Sequence, residues 1–290
     1  MKYTKLPFLF LIFILNICFS YAPTTQDGKQ QQVKKVLPAL RKNFIFTVNG
    51  VNIEMIFVEG GSFLMGCTSE QSDCYNSEKP THNVSLSDFY MGKYIVTQKL
   101  WYAVMGTTIQ QQRDLSDRNS LCGEGDDFPM YYVNYTECEE FCTKLTQLLS
   151  NQLPENYTFK LPTEAQWEYA ARGGKRSNGY KFSGGNNVSN LAWNVDNSGK
   201  ATHLVGKKMP NELGIYDMSG NIWEWCRDWY DVNYYAVSSP IDPEGPVSGT
   251  ARAMRGGAWN EAEARCRVSN RSSSACYRLN RVGFRICLSL

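Results

Sequence analysis

The sequence has little of several features that would assign it to a common functional class. It has two histidines, His82 and His203, and no two cysteines separated by two residues, which argues against a zinc site. No apolar run reaches the roughly 20 residues that a membrane-spanning helix needs. No fixed-period repeat or low-complexity tract divides residues 41–290. These features argue against a zinc finger, an integral membrane protein and a solenoid.

The amino terminus has the pattern of a secretory signal peptide. An apolar run, residues 6–19, precedes Ser20 and Ala22, the small residues expected before a cut after Ala22. A membrane anchor is the alternative, but no stop-transfer segment follows the short run. Lipid attachment at Cys18 is opposed by Ile17, where a small residue would be needed. We expect export to a periplasm, the extracellular space or the lumen of a secretory pathway.

Signal removal changes the length and charge of the chain. Cleavage leaves 290 − 22 = 268 residues, and loss of Lys2 and Lys5 takes the net charge from +2 to 0. A neutral chain has no basic surface of the kind that binds nucleic acid. We predict a signal peptide at 1–22, a polar linker at 23–43 and a single domain at 44–290, with no membrane segment after cleavage.

The mature chain is rich in cysteine for a protein of its size. Nine cysteines remain after loss of the signal peptide, at positions 67, 74, 122, 138, 142, 226, 266, 276 and 287. An exported chain meets an oxidising environment, so disulfides are expected. Cys67 and Cys74 would close a short loop and are the first candidates, whereas the other pairings cannot be read from spacing. The odd number leaves at least one thiol free or paired in another way.

Local signals predict a hairpin, three short helices and long loops. Asn49-Gly50 between two β-prone runs, residues 44–48 and 51–58, is a strong hairpin signal. A helix at 97–105 ends before a glycine, and capping boxes begin at Thr136 and Thr163. The second half of the chain is rich in Gly, Asn, Ser and Trp, which indicates long ordered loops that need anchoring.

Two acids in the segment 211–225 could bind a metal ion. Asp217 and Glu224 flank a glycine-containing turn, and the carbonyls between them could complete the oxygen shell of a calcium ion. Alternatively, Asp217 caps a turn and Glu224 is a solvated acid between two packed tryptophans. The spacing alone leaves both interpretations open.

Seven blocks of the sequence occur in an order that resembles the formylglycine-generating enzyme, or sulfatase-modifying factor, family. They are VEGGSFLMG (58–66), EKPTHNV (78–84), FYMGKYIVT (89–97), LPTEAQWEYAARGG (161–174), NELGIYDMSGNIWEW (211–225), RGGAW (255–259) and GFR (283–285). The resemblance implies an α+β, loop-rich, irregular variant of the C-type lectin fold, with short strands and about three short helices.

The resemblance also implies structural calcium. Its ligands would be the side chains of Asp217 and Glu224 and the carbonyl groups of Gly220 and Ile222. A second calcium site of the family begins at the positions of Asn190 and Leu191. Its occupancy stays open, because Asn197 stands where the family often has an acid.

The catalytic part of the resemblance is incomplete. Oxidising members hold copper through two cysteines that follow the Gly-Gly block, but here Glu263 occupies one of those positions, and Ala258 replaces an active-site serine. Cys266 is a weak catalytic candidate, as a displaced copper ligand with Cys276 or Cys287 beside it. The alternative, that Cys266 is buried or disulfide-bonded, argues against copper. No catalytic residue is otherwise assigned.

The histidines and several tryptophans can be interpreted either as structural residues or as ligand-binding ones. Iron-dependent branches of the family use several histidines, which His82 and His203 cannot supply. Exposed tryptophan faces could stack on sugars or grip a peptide, but large aromatics more often lie in the core. The residues in question are tryptophans 193, 223, 225, 229 and 259.

Three functions follow from the sequence. The first is a non-copper module that binds a secreted protein or peptide or assists its maturation, on a calcium-supported scaffold. The second is the family's oxidation of a sulfatase cysteine to formylglycine. The third is a related oxygen-dependent oxidation of another peptide or metabolite. The missing cysteine pair favours the first.

Overall fold

The computed structural model describes residues 42–116 and 120–290. The predicted signal peptide and nearly all of the predicted linker lie outside these residues, so both stay predictions. Within the described part, no helix is long and apolar enough to cross a membrane.

Short strands and helices alternate with long loops. The described strands are β1 (Phe44–Val48), β2 (Val51–Val58), β3 (Gly61–Met65), β4 (His82–Leu86), β5 (Phe89–Gly92), β6 (Thr158–Lys160), β7 (Trp223–Trp229), β8 (Arg252–Arg255), β9 (Arg271–Ser274), β10 (Val282–Gly283) and β11 (Cys287–Ser289). The described α-helices are α1 (Gln98–Met105), α2 (Ile109–Asp114), α3 (Tyr135–Leu148), α4 (Glu164–Ala171) and α5 (Val188–Leu191). The mixed, loop-rich α+β fold is the one that the sequence predicted.

The strands form three sheets. One has five strands in the order β1-β2-β5-β11-β6, one has four in the order β10-β7-β8-β9, and β3 pairs with β4 alone. Pairing is antiparallel except between β10 and β7. The four-stranded sheet joins three separate sequence blocks, since β7 follows Gly220, β8 ends at Arg255 and β10 includes Gly283. Those blocks therefore meet at one place.

The predicted hairpin is confirmed. Val48 pairs with Val51, and the turn residues Asn49 and Gly50 have φ angles of 46° and 79°. A two-residue turn with both φ angles positive matches the twist of its strands and favours Asn-Gly. The local sequence is therefore sufficient to fix this turn and its register.

The helix boundaries are set by side-chain caps. Thr97 caps α1, which ends at Gly106 in a left-handed conformation, and Thr163 forms the predicted capping box with Gln166 at the start of α4. The box predicted at Thr136 is wrong, because Asn134 caps α3 and pairs with Glu137. Asn134 and Thr136 each have a glutamate three residues later, but the Asn134 side-chain oxygen is the one that accepts the hydrogen bond from the Glu137 N–H. The short helices α2 and α5 add to the three predicted ones.

The core of the described residues consists of separate apolar clusters. The predicted Cys67–Cys74 bridge is present. The largest cluster packs α1 and α3 against the five-stranded sheet, and the Trp101 and Phe141 rings stack there. A second cluster lies around α4, and a small third one joins α5 to the loop that contains Cys266.

Candidate functional site

The segment before β7 is a tight loop with several left-handed residues. Asp217, Gly220 and Asn221 have φ angles of 58°, 79° and 66°. A Cβ atom on Gly220 would lie 2.4 Å from the carbonyl oxygen of Trp193, so close approach requires glycine here. The Asn221 side chain holds a neighbouring loop by accepting from the His203 N–H and donating to the His203 carbonyl oxygen. The loop is thus rigidly shaped.

Glu224 is fully buried and paired with a cation. Arg285 donates from Nη2 to Oε1 at 2.8 Å and from Nε to Oε2 at 3.0 Å, and Trp167 also donates to Oε2 at 2.8 Å. The interpretation of Glu224 as a solvated acid is therefore wrong. Oε1 accepts one of these three bonds, so it keeps a lone pair that could bind an ion.

Asp217 is also buried, with a weaker set of partners. Its Oδ2 accepts a 2.7 Å hydrogen bond from the Gly206 N–H. Burial raises the pKa of the Asp217 carboxyl to about 6, and the nearby charge of Glu224 acts in the same direction. A bound cation would offset both effects.

The donors of this segment are of the chemical type that calcium prefers. Two buried carboxylates and the Gly220 and Ile222 carbonyls of one short loop are hard oxygen donors, which calcium prefers. Among the described residues, no group of three or more His, Cys, Asp or Glu side chains could hold a metal ion. A calcium site here would therefore combine the Asp217 and Glu224 carboxylates with backbone oxygens.

The region of the second family calcium site is arranged differently. The Asn197 side chain accepts from the Asn194 N–H at 2.9 Å and donates to the Ala192 carbonyl oxygen at 2.9 Å. The Asn190 carbonyl oxygen accepts from the Met209 N–H. At the position where the family often has an acid, the Asn197 amide thus forms hydrogen bonds to the backbone of its own loop.

The loop after β8 places Cys266 inside the protein. Cys266 has no exposed surface and lies in the small cluster with Phe182, Leu191 and Ala192. Burial raises the pKa of its thiol to about 12. Glu263 faces solvent and its Oε1 lies 3.5 Å from Lys181 Nζ. Because a thiolate is the copper-binding and nucleophilic form, this environment opposes both roles.

The other carboxy-terminal thiols lie elsewhere. Cys276 packs against the largest cluster, whereas Cys287 belongs to the cluster around α4. All three thiols are free, so Cys266 is buried without a disulfide. Cys266 thus lies in a different apolar cluster from Cys276 and from Cys287.

The two histidines have separate surroundings. The His82 ring packs on Tyr235 with 4.5 Å between centroids, and burial lowers the pKa of His82. His203 stacks on Trp193 at 3.7 Å, and its Nε2 lies 2.8 Å from the Ser198 carbonyl oxygen. Neither arrangement provides a cluster of imidazoles.

The five tryptophans divide between core and covered positions. Trp223, Trp225 and Trp259 are buried. The half-buried Trp193 ring lies beside His203 and under Lys208 Nζ. The half-buried Trp229 ring lies beneath the Arg252 guanidinium. The core interpretation therefore holds for three, and cations cover the rings of the other two.

Sequence reasoning missed a buried ion network behind the site. Its pairs are Glu78–Arg267, Glu164–Arg255, Glu164–Arg271, Glu168–Arg255 and Glu168–Arg172. One signal was available: Glu164 and Glu168 lie one turn apart on a helix that is otherwise almost entirely apolar. Buried carboxylates need cations, and arginines from β8, β9 and the loop between them supply most of these.

The network includes one acid without a direct cation partner. Asp228 is buried, and its Oδ2 accepts from the Glu164 N–H at 2.8 Å. Burial and then the charge of Glu164 raise the pKa of Asp228 to about 7. This carboxyl should titrate near neutral pH.

Known proteins resemble the chain over shares of its length that range from 40% to 75%. The chaperone protein LppX of Paenibacillus barcinonensis is 33% identical over 255 residues, covering 72% of this chain and 79% of that protein. A formylglycine-generating enzyme of Streptomyces coelicolor is 40% identical over 131 residues, covering 40% and 41%. The serine/threonine-protein kinase pkn1 of Chlamydia pneumoniae is 30% identical over 225 residues, covering 75% of this chain but 35% of the kinase.

Comparisons of fold and family agree with this resemblance. The structure of Treponema denticola variable protein 1 superposes with a TM-score of 0.73 and 32% identity, covering 87% of this chain and 99% of that one. The family model of the sulfatase-modifying factor enzyme 1-like domain matches residues 46–290. The chain therefore belongs to the sulfatase-modifying factor enzyme 1-like family.

Proposed function

We propose that this chain is an exported module that binds another secreted protein or peptide, or assists its maturation, without copper. The position of Cys266 carries the proposal. A Cu(I) site built from thiolates needs two sulfurs around one ion. Cys266 lies in an apolar cluster away from those that hold Cys276 and Cys287. This separation supports a function other than the family's copper-dependent oxidation.

The relatives support an assisting role. LppX is named a chaperone, and its likeness covers most of both chains. The likeness to the Streptomyces formylglycine-generating enzyme covers less than half of this chain. A sulfatase is one candidate partner, because the family is named for sulfatase modification. Oxidation of a sulfatase cysteine, or a related maturation oxidation, is the alternative function.

An activity assay separates these functions. The mature chain should show no one-to-one Cu(I) binding and no oxygen uptake that depends on a cysteine-containing sulfatase peptide, with calcium present. Coexpression should raise the soluble yield of an exported sulfatase, and Cys266→Ala should keep that effect because the thiol has no catalytic role. Tight one-to-one copper binding with peptide-dependent oxygen uptake, abolished by Cys266→Ala, would establish the oxidase instead.

We also propose that calcium supports the scaffold through Asp217, Gly220, Ile222 and Glu224. The ion would neutralise the buried Asp217 carboxylate, share Glu224 with Arg285 and hold the loop that leads into β7. Binding to the folded state alone would add stability by mass action. The ion has a structural role in this proposal and takes part in no reaction.

Asp217→Asn should remove the stabilisation by calcium. At a hundredfold excess over its dissociation constant, calcium should stabilise the wild type by about 2.7 kcal/mol, a rise in Tm of about 5 to 10 °C for a domain of this size. The variant keeps the shape of the side chain but lacks its charge, so its Tm should not respond. Differential scanning calorimetry with calcium and with chelator measures the shift.

Asp228→Asn is the matched control, because it replaces another buried aspartate outside the proposed ligand set. It should keep the calcium response of the wild type. A response that persists in Asp217→Asn would refute the site.

A further inference from the structure

A surface groove lies on elements that do not contribute to the loops before β7 and after β8. The cavity has a volume of about 570 Å³ and is lined by the β1–β2 turn, α1, α2 and the segment 124–126. This volume falls within the roughly 300 to 1,000 Å³ of typical ligand pockets. The groove is therefore large enough for a small ligand and lies apart from the loops of the proposed maturation role.

Hydrogen bonds hold the base of the groove in shape. The buried Gln98 side chain donates to the carbonyl oxygens of Gly123 and Pro129 and accepts from the Gly125 N–H at 3.1 Å. Asn49 donates to the Ala103 carbonyl oxygen at 2.7 Å and fixes the hairpin turn against α1. A ligand would meet a preformed surface, which lowers the entropic cost of binding.

The groove presents an aromatic ring to solvent. Tyr102 is 58% exposed and lines the cavity beside the apolar side chains of Val51 and Ile109. A flat, exposed ring of this kind can stack against the C–H face of a sugar ring, whose burial is favourable. The cavity of about 310 Å³ around Lys160 and Arg227 has no aromatic lining.

Planar polar groups surround the tyrosine. Glu124 accepts from the Gln110 amide, and Asp126 lies 3.1 Å from the ammonium of Lys99. Carboxylates and amides have adjacent acceptors or donors, which match pairs of neighbouring hydroxyl groups. Lys99 offsets the charge of Asp126, whereas Glu124 keeps its charge beside the neutral Gln110 amide. The groove therefore has one excess negative charge, which disfavours anionic ligands, and its oxygens can accept from the hydroxyl groups of a neutral one.

We propose that this groove binds a short neutral oligosaccharide. Tyr102 stacks on one sugar ring, and Glu124, Asp126 and Gln110 accept from or donate to its hydroxyl groups. The inference concerns a second site and goes beyond the proposed maturation role. Neither copper chemistry nor calcium at Asp217 takes part in it.

Binding of defined sugars tests the proposal. The probes are chitotriose, cellotriose, maltotriose and xylotriose, titrated into the mature protein by isothermal calorimetry. At least one should bind, and Tyr102→Ala should weaken it about five- to tenfold through loss of the stacked ring. Glu124→Gln should also weaken binding. Tyr277→Ala, at a tyrosine that is 67% exposed outside the groove, should leave binding unchanged.

Three results would overturn the proposal: no binding of any of the four sugars, binding that Tyr102→Ala does not weaken, or binding of a lysine oligomer alone that Glu124→Gln abolishes. Tyr102 is exposed, so its variant should retain the Tm of the wild type. Tyr102→Ala should also retain the effect on sulfatase yield, which keeps failure of this proposal distinct from failure of the maturation role.

Discussion

Arg267→Met is expected to lower the free energy of unfolding by about 3 to 5 kcal/mol, because it leaves a buried carboxylate without its cation. Arg267 and Glu78 are both fully buried, and the guanidinium donates to the two carboxylate oxygens at 2.6 and 2.7 Å. The Arg267 guanidinium holds the pKa of Glu78 below its usual range despite burial. Methionine fills similar volume but offers no charge.

The loss of unfolding free energy in Arg267→Met should depend on pH. In the variant, burial acts on Glu78 without the opposing cation, so its folded-state pKa should rise above the unfolded value. Protonation then favours the folded state, and the loss should be smaller at pH 4 than at pH 8. Urea unfolding at both pH values measures the difference.

Two further variants separate loss of the charge partner from loss of packing. Arg267→Met combined with Glu78→Gln should recover part of the stability, because the remaining side chain is neutral. Lys144→Met breaks the exposed pair with Glu140 and should cost less than about 0.5 kcal/mol. A loss below about 1 kcal/mol in Arg267→Met would show that the buried pair is not required.

Asp228→Asn should remove a pH dependence of stability near neutrality. The folded pKa of Asp228 is raised from 3.8 to about 7, so the protonated form is favoured by folding. The stability that protonated Asp228 contributes to the folded state is fully present below about pH 4 and is lost as the pH rises through 7. It amounts to about 4 kcal/mol in total. Asparagine stays neutral and can still accept from the Glu164 N–H.

The measured quantity is the difference in unfolding free energy between Asp228→Asn and the wild type. As the pH rises from 5 to 8, Asp228→Asn should gain about 2 to 3 kcal/mol of stability relative to the wild type. Asp114→Asn, at an exposed carboxyl, should shift the same difference by less than about 0.5 kcal/mol. A difference for Asp228→Asn that is flat across this range would contradict the raised pKa.

Local chemistry explains which elements could be predicted. The Asn49-Gly50 hairpin, the Thr97 cap and the Thr163 capping box each depend on residues within a few positions of one another. The same logic failed at the start of α3, where Asn134 and Thr136 both have an acid three residues later. The short helices α2 and α5 have too few residues for a clear apolar period.

The candidate site depends on contacts between distant residues. The sequence placed Asp217 and Glu224 on one glycine-containing loop, which suggested calcium. It did not indicate that Arg285, 61 residues beyond Glu224, pairs with that carboxylate. The pairing follows from the parallel contact of β10 with β7, which brings the segment 283–285 beside Glu224.

By itself, the sequence determined the family, the fold class, one disulfide and the locally encoded turns, because ordered motifs and short-range geometry are written in neighbouring residues. Tertiary structure decided that Cys266 lies in a different apolar cluster from Cys276 and Cys287, and that buried arginines neutralise Glu78, Glu164 and Glu168. Burial and long-range pairing set the charge state and access of each group, and neither can be read from spacing along the chain.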